Sequence, residues 1–160
     1  LIAQSLLPIT KQTLRYGSAD GGDTIYADPV VHEKMKEMGE KLNLAEHSVR
    51  DKSIIGPGDQ EVSQRMSSDA HVQIHLGLDN RYYCIDLARV FPCEAPSRYA
   101  EANTRSIFYK ILRPELVMNY KHKLNSDAFT GWGKKDPQFA KHNLAVRTAT
   151  EQHVTYRRPN

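Results

Sequence analysis

The residues that could do chemistry gather mid-chain, in the run from Asp69 to Arg89, DAHVQIHLGLDNRYYCIDLAR. Of the 7 histidines in the chain, His71 and His75 are spaced to share one face of a strand, the geometry of a metal clip. No carboxylate or cysteine stands where it would complete the coordination, and neither cysteine has a CxxC partner. No metal and no cofactor are therefore expected. His71 could lie across a hairpin from Cys84, but a strand cysteine is usually inert packing rather than a nucleophile. There is no GxSxG elbow, Walker loop or GxGxxG.

Asp69 and Asp86 raise a sharper possibility. In kinase-type phosphotransferases a catalytic Asp precedes a hairpin and a metal-binding Asp ends it, and these two have roughly that separation. The pattern is incomplete. Asp69 is followed by AHVQIH, without the asparagine, and Asp86 by Leu-Ala-Arg, without the glycine of a DFG turn. A divergent kinase-like phosphotransferase using Asp86 stands as the alternative. The favoured role is structural, with Asp86 paired to Arg89 at the strand exit and no catalytic residue in the chain.

A third chemistry is nucleic-acid contact, which needs a stacking aromatic beside cations. Arg81 and Tyr82 meet that description, and only one of Tyr82 and Tyr83 can face outward, because adjacent strand residues point to opposite sides. From Lys134 onward the chain has six basic residues against two acidic ones. Lys134, Lys135, Arg157 and Arg158 are the further candidates for RNA contact.

Positioning these groups requires regular elements. Val72, Ile74 and Leu76 alternate with polar residues, as do Tyr83, Ile85 and Leu87, and Gly77-Leu78-Asp79-Asn80 joins the two runs. That is a hairpin. A second is read from LRYGSA and TIYA around Asp-Gly-Gly-Asp. Asp28-Pro29 caps and opens a helix whose apolar stripe is Val31, Met35, Met38 and Leu42. LIAQSLLPI reads as a kinked strand, and Ser53–Ser68, with its Gly-Pro-Gly, as a loop. A helix is expected from Asn103 to Leu112, stopped or kinked by Pro114 and restarting behind it. Ser126–Gly133 reads as a turn-rich connection. Asp136-Pro137 opens a last helix through Phe139, Leu144 and Ala149, ending in a loose tail. The fold class is α+β, with antiparallel hairpins packed against several helices.

The totals agree with that class. The chain has 160 residues, a net charge of +3 and a pI near 8.8, which suits one soluble domain and only mild basicity. No apolar run approaches a bilayer span, so membrane insertion is not expected. Cys84 and Cys93 lie too far apart along an extended chain for a disulfide. Free thiols point to the cytoplasm.

Read in order, several stretches resemble one family, the Clu domain of the clustered mitochondria proteins. IAQSLLP (Ile2 to Pro8) is similar to its "AQS-I-PG" segment and YGSADGGDTI (Tyr16 to Ile25) to its "YGS-D-G" hairpin. EKLNLAEHSV (Glu40 to Val49), read as a helix end, resembles "L-L-EH-V". GLDNRYYCIDLARVFP (Gly77 to Pro92) resembles "GSDGR-Y-LDL-R--P", and ILRPELV (Ile111 to Val117) resembles "LRPELV". Ile9 replaces the family's glycine after Pro8, and Pro92-Cys93-Glu94 replaces its "PPD". The resemblance implies a Clu-like core over residues 1–133, lacking an N-terminal part of the family domain, with a basic helix and tail over 134–160. It further implies a non-enzymatic, cytosolic scaffold within a larger protein. Family members affect mitochondrial distribution, associate with ribosomes or the translation machinery, bind mRNAs for mitochondrial proteins and carry other domains, including helical repeats.

Overall fold

The computed structural model describes residues 5–55, 61–97 and 104–156. Within them the chain runs β1 (Leu14–Gly17), β2 (Tyr26–Ala27), α1 (Pro29–Leu42), β3 (His47–Ile55), β4 (Glu61–Met66), β5 (Gln73–Leu76), β6 (Tyr82–Ile85), α2 (Pro114–Met118) and α3 (Phe139–Tyr156). Short 3-10 turns cover Lys11–Thr13, Thr104–Phe108 and Trp132–Lys135. The fold is α+β. One sheet has the order β2-β1-β5-β6, and β3 and β4 form a separate pair; every strand pairing is antiparallel.

The β5–β6 hairpin forms as the alternation predicts, but its register sets Gln73 opposite Ile85 and Ile74 opposite Cys84, so the apolar sets of the two strands do not share a face. Asn80 supplies the left-handed residue of its turn, at φ 61°. The β1–β2 hairpin also forms. Gly17, at φ 90°, is required at the end of β1, because a Cβ there would stand 1.8 Å from the Val72 carbonyl oxygen. Helix α1 starts as its sequence dictates. Asp28 Oδ1 accepts from the amides of Val30 and Val31 at 3.0 and 3.2 Å, with Pro29 at the first position.

Four expectations need correction. Residues 5–10 form no strand; they run irregularly, and the Pro8 carbonyl accepts from Leu78 N–H at 2.8 Å. The α1 helix does not carry on toward Val49. It stops at Leu42, because Asn43 turns to φ 58°, and β3 begins at His47. Ser53–Ser68 is largely strand: Glu61–Met66 pairs with β3 from His47↔Met66 to Asp51↔Val62. Gly56 to Gln60 fall outside the described residues. The segment before Pro114 is a 3-10 turn over Thr104–Phe108, not a helix running to Leu112. An antiparallel bridge between Cys93 and Ile111 draws the chain into extended form, and Arg113, preceding proline, is disfavoured as helix. Asn103 lies outside the described residues.

Two apolar clusters make the core. Tyr16, Val31, Met35, Val49, Met66 and Val72 fill one, under the sheet; Leu44, Leu112, Val117, Leu124, Val146 and Ala149 fill the other. Met38 and Val90 pack against both. Cys84 is exposed, Cys93 is buried, and both are free thiols.

Candidate interaction surface

The polar residues of the Asp69–Arg89 run divide sharply between inside and outside. The inside group converges on Asp127, fully buried in the turn-rich connection between α2 and α3. One of its oxygens, Oδ2, accepts from the Ala70 amide at 3.0 Å and lies 3.0 Å from His47 Nε2. The other, Oδ1, faces Arg89 Nη2 at 3.6 Å. Arg89 Nη1 donates to His71 Nδ1 at 3.2 Å, and its guanidinium lies 5.1 Å from the Phe108 ring centre and 5.4 Å from that of Trp132. Trp132 in turn lies over the glycine turn between β1 and β2, donating to the Gly21 carbonyl at 3.1 Å. Gly22 leaves it that room; a Cβ there would meet the indole nitrogen at 2.0 Å.

The hydrogen bonds define the protonation of two buried histidines. His47 Nε2 faces the Asp127 carboxylate, and its Nδ1 faces the Ala45 carbonyl at 3.2 Å, so both ring nitrogens meet acceptors. Burial opposes the charged ring, but the bond to Asp127 and the charge of that carboxylate outweigh it and hold His47 above its ordinary value. His142 is the opposite case. The Asn125 carbonyl oxygen takes the Asp127 amide at 2.7 Å, which leaves the Asn125 amide nitrogen to donate to His142 Nδ1 at 2.8 Å. Burial pulls His142 below its ordinary value. Burial also pushes the Asp69 carboxyl up, with the Asp127 charge adding to the shift.

This network overturns the pairing expected for Asp86. Arg89 turns inward to Asp127 and His71, whereas Asp86 is exposed at φ 58° and makes no ion pair among the described residues. With Asp69 buried and Asp86 on the surface, the two carboxylates do not face one substrate, and the phosphotransferase reading loses its geometry. His75 is buried, its ring nitrogens bonded to Thr13 Oγ1 at 2.9 Å and Gln73 Oε1 at 3.2 Å, so it is not poised as a ligand with His71. Cys84 lies opposite Ile74 rather than His71. Among the described residues no group of three or more His, Cys, Asp and Glu could hold a metal ion. Sequence reasoning missed Asp127, His47 and His142; the only trace was the Asn-Ser-Asp run at 125–127, residue types that bond nearby backbone.

The outside group is the hairpin tip and its free edge. Strand β6 closes one side of the sheet, with no strand beyond it among the described residues. The Arg81 side chain is 80% exposed, 3.9 Å from Asp79, and Tyr82 is 59% exposed. Tyr83 instead sends its hydroxyl to Asp79 Oδ2 at 2.7 Å. Lys134 and Lys135 are exposed on the 3-10 turn beside Trp132. Arg157 and Arg158 lie outside the described residues. Asp28 and Pro29 hold the start of α1 as expected.

The family described as "Clustered mitochondria" matches residues 1–96. A "Clustered mitochondria protein" of Arabidopsis thaliana is 34% identical over 75% of this chain. The chain belongs to the clustered mitochondria family. A homolog of that protein in Malassezia globosa is 27% identical over 89% of the chain, and "Protein clueless" of Drosophila willistoni is 32% identical over 76%. The matched regions are only 8%, 10% and 8% of these relatives' own lengths, so this Clu-family chain corresponds to a small part of each. No solved structure matches it. Among the described residues no helix is long and apolar enough to cross a membrane.

Proposed function

We propose that this chain is a non-catalytic binding domain of a larger Clu-family protein that acts in the cytoplasm on the distribution of mitochondria, and that its sheet edge contacts single-stranded RNA. One observation carries the reading. Asp127, His47, Arg89 and His71 are tied into an inward network, whereas Arg81 and Tyr82, consecutive residues at the start of an edge strand, are both exposed. A cation beside an exposed aromatic ring on a strand is a platform for a base and its phosphate. Exposed Lys134 and Lys135 are further candidates for backbone contact, with mRNA or a ribosome-associated protein as the partner. The relatives' name, "Clustered mitochondria protein", supports the cellular role.

The test is fluorescence anisotropy of a labelled single-stranded RNA titrated with the folded chain at low and near-physiological salt. Saturable binding that weakens as salt rises is expected, because phosphate contacts release counterions. Absence of binding at either salt would remove RNA contact from this domain and leave protein docking as its role.

A further inference from the structure

We propose that the groove between the Tyr120–Lys123 turn and the opening turns of α3 docks an acidic peptide segment anchored by an aliphatic side chain. The groove is about 690 Å³. Lys141, Leu144, Ala145 and Thr148 recur at helical spacing, so one face of α3 forms a wall, and Lys121 and Lys123 stand in the wall opposite. Its charge is only partly compensated. Glu46, the carboxylate in the lining, is already held by Arg65 at 2.6 Å and His32 at 3.0 Å. Lys123 pairs with Glu40. Lys141 reaches the neutral Gln138, at 3.4 Å, and Lys121 is exposed. His142 adds no charge, since its Nδ1 accepts from Asn125.

Between these cations Leu144 is 64% exposed, with Ala145 beside it. An exposed leucine in a groove that also presents Lys121 and Lys141 matches a ligand that alternates carboxylates with an aliphatic anchor. The same lining disfavours nucleic acid. A base stacks best on a flat, open aromatic face, and of the rings in the groove Tyr120 is half-buried and His122 is set edge-on to it at 6.3 Å between centres. The groove involves none of the hairpin residues assigned to RNA, so either reading can fail without the other.

The test uses the intact chain and a short fluorescein-labelled peptide alternating glutamate and leucine, with its glutamine counterpart and a labelled single-stranded RNA as comparisons. The glutamate peptide should bind saturably, weaken with salt and outbind the glutamine form. Lys121→Glu with Lys141→Glu should weaken it roughly tenfold, and Leu144→Ser by about threefold or more, at unchanged melting temperature. If the double reversal does not fold, Lys121→Gln with Lys141→Gln takes its place. The proposal is overturned by no saturable binding, by equal affinity for the glutamine peptide, or by affinities untouched in the variants. It is also overturned if RNA displaces the peptide and loses affinity in the same variants, which would make the groove a phosphate site.

Discussion

Asp127 is the residue on which the interior turns. It accepts from His47 and the Ala70 amide and faces Arg89, so deleting it removes the buried counter-charge of two cationic groups and the acceptor of a peptide N–H. Removing one member of a buried ionic set costs about 3–5 kcal/mol. Asp127→Ala should therefore lower stability by about that much in a urea melt, or abolish folding. Its partners predict a split between two histidines. His47 is held above its ordinary value, so its charged form stabilises the fold; that contribution is complete below about pH 6.5 and is lost as pH rises through the folded value. His142 is depressed, so the fold favours its neutral ring and loses stability as pH falls below the ordinary value. The two effects oppose each other in a melting curve, but ring titration by NMR separates them. His47 should titrate above about 6.5 and His142 below it; the reverse order would contradict the network.

The joints between elements carry the next level of specificity. Asn43 ends α1 in the left-handed region and its side-chain amide meets the carbonyls of Val117, Tyr120 and His122 at 2.8, 2.8 and 3.2 Å, tying the helix end to the chain after α2. Asn43→Gly keeps the backbone turn but removes the tie, and should cost about 1–3 kcal/mol in a denaturant melt; Asn43→Ala should cost more, since it also strains the turn. Asp28→Ala should cost about 1 kcal/mol by removing the α1 cap. The cap was plain in the sequence, because an aspartate before a proline and an apolar stripe is a local signal. So was the β5–β6 hairpin, whose alternation is strict. Strand β4 was not: EVSQRM has little apolar density, and its pairing with β3 is decided by partners rather than by its own residues. The joints were hidden for the same reason, since the carbonyls that Asn43 meets are more than seventy residues away.

At the scale of the whole molecule, the polar residues serve two ends. Those of the Asp69–Arg89 run that point inward join the two apolar clusters through Asp127, and those that point outward lie on a free sheet edge. Sequence reading found both sets but could not sort them. Asp86 and Arg89 are three apart and suited to pairing, yet Arg89 is drawn inside by Asp127, a carboxylate distant in sequence. Arg81 and Tyr82, proposed from residue type alone, are both exposed. The family was legible because its motifs recur in order along the chain, and the match over residues 1–96 covers most of them. The deciding measurement is the RNA affinity of Arg81→Glu with Tyr82→Ala, by anisotropy near physiological salt, beside its melting curve. The account predicts unchanged melting and affinity roughly tenfold weaker, from the loss of one stacking ring and one cation. Wild-type affinity in a fully folded variant would show that the sheet edge is not the binding surface.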